Sequence, residues 1–428
     1  MCARLVLFVI SLLLGWFSSH RFCAAQSQTS VAQDSSGSYN AGLTLVDVPY
    51  PSGRGEEAII TTAVWYPTRQ AQDEYAYRLT QDYISQVALD APVAPGEPYP
   101  LVIYIHGGFS SGFASSFFTE ELARHGYVVV APDYVDTIPP DYTQSLAFSR
   151  MRQGKTARNI QVLKAAKQWV ADMNADSDFF LSYLAAHRLP QTSFIIDWML
   201  RQNAQSSSMF YQAVDSQAIG AIGWSEGGVT ILAKIGAHPD PSVQDSRIRA
   251  ALLLSSPAFP DRFQRIRIPI MLMAGDDDAP AVHPENPRRL IVDQAPAQKY
   301  HLVLKDTNHF DFGNRVCGNT PLYLAVTQKP KARVIFQYGY TFFQKHLRGD
   351  SSADRRLTQA DSLLAYYLYD TNPAAEGVVE FGKEPVSSGR SLGLGHRLRQ
   401  RSGSQEQGGG GSSRPLRQLF QRLRNRSE

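Results

Sequence analysis

"GAIGWSEGGVT", residues 220–230, sets Ser225 between Gly223 and Gly227, with Gly228 behind, directly after a small apolar run. Glycine and serine punctuate ordinary turns, so the stretch alone says only that the backbone there is crowded. Its flanks say more. "AIGAIGW" (218–224) is short, apolar and continuous, as a buried strand is, and "GGVTILAKIGA" (227–237) reads as a helix. A serine held where a strand turns sharply into a helix needs small residues two before and two after it. G-x-S-x-G in that context marks an exposed nucleophile. The rival reading is a glycine turn with serine as the helix N-cap, a role serine favours.

Working outward, "PLVIYIHGG" (100–108) and "YVVVAPD" (127–133) are further buried strands, joined by the short amphipathic helix "TEELARHG" (119–126), which Gly126 closes. Strand, helix, strand within about thirty residues is a βαβ unit, and it implies a parallel sheet. "IRAALLLSS" (248–256), "PIMLMAGDDD" (269–278) and "KYHLVLKD" (299–306) continue the series, and "ARVIFQYGYTFFQKHL" (332–347) is a closing helix. Two strands, "LTLVDVPYP" (43–51) and "AIITTAVWYP" (58–67), open the sheet as an antiparallel pair. The alternation predicts one doubly wound α/β domain over 43–370. Residues 136–216 exceed what one crossover requires and read as a helical insertion. Its aromatics Phe179, Phe180, Tyr183, Trp198, Phe210 and Tyr211 either wall an acyl pocket or belong to the core.

A serine hydroxyl is a weak nucleophile and needs a base, which a third group must orient. Downstream of Ser225, "GDDDAP" (275–280) and "NHFDF" (308–312) follow strands, at the carboxyl ends where open α/β sheets place their sites. His309 is the expected base. His301 lies inside a strand and His283 precedes a proline, so both fit less well. Asp278 is the expected acid, with Asp276 and Asp277 as rivals. The oxyanion of a tetrahedral intermediate needs preorganised N–H donors. The amide of Glu226 is one, and "HGGF" (106–109) offers the second from Gly108 or Phe109; His106 organises that loop. His106, His125 and His309 have no metal-ligand spacing, and the three aspartates lack the spacing of a calcium loop. The mechanism requires neither metal nor cofactor.

The chain has 428 residues, 43% of them hydrophobic and 19% charged, an ordinary globular balance. Arg4, an apolar run from Leu5 to Phe17 and the small residues before Gln26 predict a secretory signal over 1–25 and an exported protein, periplasmic or secreted. A flexible leader, 26–42, follows. Cys2 and Cys23 would leave with the signal, and Cys317 alone excludes an intrachain disulfide. The net charge is +3, but nine Arg against Glu406 and Glu428 concentrate positive charge from Arg390 onward. Residues 371–428 therefore read as a low-complexity basic tail, either solvated or lying as a short amphipathic helix on an anionic surface. Nothing in the body is a nucleic-acid motif.

"VWYP", "IHGG", "LARHGYVVVAPD", "GWSEGG", "GDDD" and "NHFDF", in this order, resemble the α/β-hydrolase superfamily over about residues 43–350. The likeness is greatest to exported bacterial dienelactone-hydrolase-like and platelet-activating-factor acetylhydrolase-like esterases. The resemblance implies Ser225, Asp278 and His309 as a triad that hydrolyses carboxylic esters, small or lipid-like, through an acyl-enzyme. Dienelactone hydrolases proper use cysteine, so their substrate does not carry over. Trp224 departs from the esterase pattern, which has His before the nucleophile, and resembles the G-W-S-x-G-G of prolyl-oligopeptidase-type peptidases. Those carry a β-propeller, and no blade-like strands precede residue 100. A peptidase, or a non-catalytic hydrolase-fold protein binding at the envelope, are the alternatives.

Overall fold

The computed structural model describes residues 38–51, 57–79, 81–134, 168, 178–278, 287–370 and 378–382. The expected signal peptide, most of the insertion before 178, His283 and the tail after 382 lie outside the described residues.

Among the described residues twelve strands form one sheet. They are β1 (Asn40–Pro51), β2 (Glu57–Thr68), β3 (Asp73–Arg78), β4 (Asp82–Leu89), β5 (Tyr99–Ile105), β6 (Val128–Pro132), β7 (Val214–Trp224), β8 (Ile248–Leu254), β9 (Ile270–Gly275), β10 (Lys299–Leu304), β11 (Leu364–Asp370) and β12 (Val378–Gly382). Their order is β12-β11-β10-β9-β8-β7-β5-β6-β2-β1-β4-β3. From β6 to β10 neighbouring strands run parallel, and β2 and β11 flank this block antiparallel. The chain leaves β5 for β6 on one side and returns to β7 on the other. The carboxyl ends of β5 and β7 therefore border a crevice at the switch point, where such sheets bind their ligands.

The parallel strands are apolar over the stretches where both faces are covered. Along β8, Ala250, Leu252 and Leu254 face one core, and Ile248, Ala251 and Leu253 the other. The first core also receives α1 (Ser116–Arg124) and α7 (Pro330–Arg348), the second α3 (Leu189–Ala204). Pro330 opens α7, and Gly349 ends it in the left-handed region at φ 68°.

Two features go beyond the sequence reading. In the helical insertion, α2 (Phe179–Tyr183) passes without a break through a π-helical turn, Leu184–Arg188, into α3. Pro190 has no N–H to return to the preceding turn, which accounts for the widened ladder just before it. The sheet also has edge strands the hydrophobic pattern concealed. In β3, "DEYAYR", only Tyr75, Ala76 and Tyr77 are covered, and β12 pairs with β11 at residues 378–382, past the expected end of the domain.

Trp65 joins the antiparallel edge to the core. It is fully buried, its indole N–H donates to the Tyr77 hydroxyl at 2.9 Å, and Phe113 packs edge-on at 5.8 Å. Trp65→Ala should cost about 3–5 kcal/mol, read as a lowered urea midpoint; a midpoint within error of wild type would mean that this edge contributes nothing to the cooperative unit.

Candidate active site

Ser225 stands between β7 and α4 (Glu226–Leu232) at φ 57° and ψ −119°, a conformation that non-glycine residues rarely hold. Its amide donates to the Leu254 carbonyl at the end of β8, 2.9 Å away. The surrounding glycines explain how the turn is maintained. A Cβ on Gly223 would lie 2.5 Å from the backbone of Gly227, and one on Gly227 only 1.9 Å from the Ile105 carbonyl oxygen. One on Gly228 would strike Ser256 at 2.3 Å. Helix, nucleophile strand and β5 meet backbone to backbone here.

His309 follows β10 in a one-turn 3-10 helix. Asn308 caps it, accepting the Phe310 N–H at 2.9 Å, while Asp311 accepts the Asn308 N–H at 3.1 Å. Trp224, the residue before the nucleophile, donates its indole N–H to the His309 carbonyl at 3.0 Å and packs against the imidazole with ring centroids 5.7 Å apart. The tryptophan that departs from the esterase pattern thus fixes the backbone of the expected base.

The three aspartates separate cleanly. Asp278 is fully buried, its Oδ1 3.3 Å from His309 Nδ1. Asp276 instead accepts the Thr307 N–H at 3.3 Å and shapes the turn before His309. Asp277 is exposed; partial burial, then the charges of Asp276 and Asp278, raise its pKa. A participant absent from the sequence reading is Ser255, at the end of β8. Its hydroxyl donates to Asp278 Oδ2 and lies 2.7 Å from His309 Nδ1. With the serine proton committed to the aspartate, the oxygen accepts from Nδ1–H, which leaves Nε2 as the basic nitrogen. Position at a parallel strand's carboxyl end was the available signal for Ser255. A serine there has no motif to announce it.

The loop after β5 lies against the nucleophile. A Cβ on Gly107 would come within 3.1 Å of Ser225 Cβ, and one on Gly108 within 2.5 Å of the Glu226 carboxylate. Phe109 takes φ 57°. Of the expected oxyanion residues, Gly108 lies against the Glu226 carboxylate, next to Ser225, and Phe109 packs toward the Phe180 cluster. His106 is buried, and burial followed by the charge of Arg188 holds its pKa well below the ordinary value. Tyr134 N–H points at its Nε2 from 3.5 Å, so Nδ1 carries the proton and donates to the Gly107 carbonyl at 2.7 Å. It organises the loop, as expected.

Of the insertion's aromatics, Trp198 and Phe210 are core. Phe180 and Tyr183 form a separate cluster with Leu184, Leu189, Val229 and Ala233, against which Phe109, Phe179 and Phe259 pack, and Tyr211 is exposed. No group of three or more metal-ligating side chains occurs among the described residues. Cys317 is buried and its thiol is pushed up to about 12, chiefly by burial, which makes it inert.

Gly227→Ala tests the elbow directly. The added methyl has backbone, not a movable side chain, in its way, so a loss of about 3 kcal/mol or more is expected in chemical denaturation. An alanine variant of unchanged stability would show that the elbow has slack.

Residues 48–170 match the family "Platelet-activating factor acetylhydrolase, isoform II", and residues 181–328 match the family "PET hydrolase-like". No curated protein matches the chain. The two matched segments cover strands on both sides of the switch point, and the three expected catalytic positions, Ser225, Asp278 and His309, all fall within 181–328. Both families are serine ester hydrolases, and the chain has their α/β-hydrolase fold and resembles the acetylhydrolase-like esterases within it.

Proposed function

We propose that the protein is an exported serine hydrolase that cleaves carboxylic esters through an acyl-enzyme. Ser225 attacks the ester carbonyl, His309 Nε2 takes its proton and returns it to the leaving alcohol, and Asp278 with Ser255 orients the imidazole. Water, activated by the same histidine, releases the acid. The amide of Glu226 and one from Gly108 or Phe109 receive the oxyanion. The observation that carries this reading is the strained Ser225 at the switch point, preceded by a tryptophan that holds a histidine bonded to a buried aspartate on a neighbouring strand end.

The apolar cluster of Phe109, Phe179, Phe180, Val229 and Phe259 beside the oxyanion loop favours an acyl group with little polarity. The matched families are named for a PET hydrolase and for platelet-activating factor acetylhydrolase, and both names are of hydrolases. Trp224 has its own task in holding His309, which removes the main reason to prefer a peptidase. Export rests on residues 1–25 and is checked by comparing the N-terminus of the mature protein with that of the chain.

The test is fluorophosphonate labelling with hydrolysis of nitrophenyl esters of short to long acyl chains. Ser225→Ala should lose both while remaining folded. Asp278→Asn should lower kcat on the order of 10⁴-fold, as mispairing of the base does elsewhere, whereas Asp277→Asn should stay near wild type. If folded wild type neither labels nor turns over any ester, the hydrolase reading is wrong; if Asp277→Asn loses activity while Asp278→Asn keeps it, the acid is misassigned.

A further inference from the structure

Beneath the loop after β5 lies a buried ionic network that the ester mechanism does not itself require. Arg188, on the π-helical turn of the insertion, is 1% exposed. Its Nη1 donates to the His106 carbonyl at 3.1 Å and its Nε to the Tyr183 hydroxyl at 3.1 Å. That Nε is 3.4 Å from Glu226 Oε1, which also accepts the Tyr183 O–H at 2.7 Å. The guanidinium lies over the Tyr134 ring at 4.5 Å. Thr192 closes the figure, bonded to the Tyr134 hydroxyl at 2.9 Å and donating to the Arg188 carbonyl at 2.7 Å.

Two consequences follow for the reacting centre. The Glu226 carboxylate sits one residue from the nucleophile and directly against Gly108, where a negative charge opposes an oxyanion. Arg188 cancels that charge at close range in a site screened from water, where such charges weigh most. The same guanidinium ties the carbonyl of His106, the residue that leads into the oxyanion glycines, to the helix. We infer that Arg188 is a positioning residue of the insertion, which neutralises Glu226 and anchors the loop 106–109 so that its amides face the oxyanion formed at Ser225. This rests on the hydrolase reading above. It makes the α2–α3 segment part of the catalytic apparatus and not an appended lid.

The experiment measures kcat, KM and inhibition by a trifluoromethyl ketone, which forms a tetrahedral oxyanion on the serine, alongside inhibition by a matching ether that binds without reacting. Removing Arg188 alone leaves Glu226 buried without its counter-charge and endangers the fold. The principal variants are therefore Arg188→Lys, which keeps the charge, and the double variant Arg188→Met/Glu226→Gln, which removes both charges. The double variant should lose about 10²-fold in kcat and in ketone affinity, the scale of one oxyanion donor, with KM and ether affinity unchanged. Arg188→Lys should fall between it and wild type, because one ammonium cannot reach Glu226, Tyr183 and the His106 carbonyl together. Equal losses of ketone and ether affinity would assign Arg188 to substrate binding or general scaffolding and overturn the inference. So would wild-type kcat in either variant. Absence of labelling in wild type would instead overturn the hydrolase reading itself.

Discussion

The first turn of α4 is pressed onto the end of β5, so that a Cβ on Gly227 would come within 1.9 Å of the Ile105 carbonyl oxygen. Everything at the crevice depends on it. If α4 moved outward to admit even a methyl group, Ser225 would lose the geometry that projects it from the sheet. Its amide would leave Leu254, and the loop 106–109 would no longer lie against it. The unfavourable backbone of Ser225 persists because the contacts on both sides over-determine it. The residues that hold the strain are glycines, which contribute only by having nothing to put in the way.

The polar groups around this point are organised in two separate sets. On one side, Ser255 and Asp278 engage Nδ1 of His309, while Trp224 holds its backbone. On the other, Arg188, Tyr183 and Glu226 meet behind the loop 106–109. In the proposed reaction the first set would direct a proton and the second would tune where negative charge is tolerated. Their only shared element is the short stretch from Trp224 to Glu226, which contributes one member to each set with the nucleophile between them. That explains why a single hexapeptide carries so much of the chemistry.

Much of this was legible in the sequence, for physical reasons. Buried parallel strands are uninterrupted apolar runs, so β5 to β10 could be read directly, and glycines around a serine report crowding without ambiguity. Asp278 could be ranked but not separated from Asp276 and Asp277, since three adjacent carboxylates differ only in the direction each side chain takes. Ser255 and Arg188 were missed, and Tyr183 was read only as an aromatic of the insertion, because their polar roles arise from pairing across strands and helices far apart in the chain. An arginine on a helix ordinarily faces water, and nothing local distinguishes one that is buried. The edge strands β3 and β12 escaped because half-covered strands carry a weak pattern.

The strand order has a consequence for how the protein comes into being. Ile105 pairs with Gly223, more than a hundred residues on, and the base arrives only with β10. Parallel neighbours of this separation cannot zip locally; loop closure must precede the contacts that reward it, so such topologies assemble slowly. The candidate nucleophile, base and oxyanion loop are spread over residues 106–309, so no short stretch of the chain holds them together. The candidate site is complete only once β10 pairs with β9 and His309 meets Asp278.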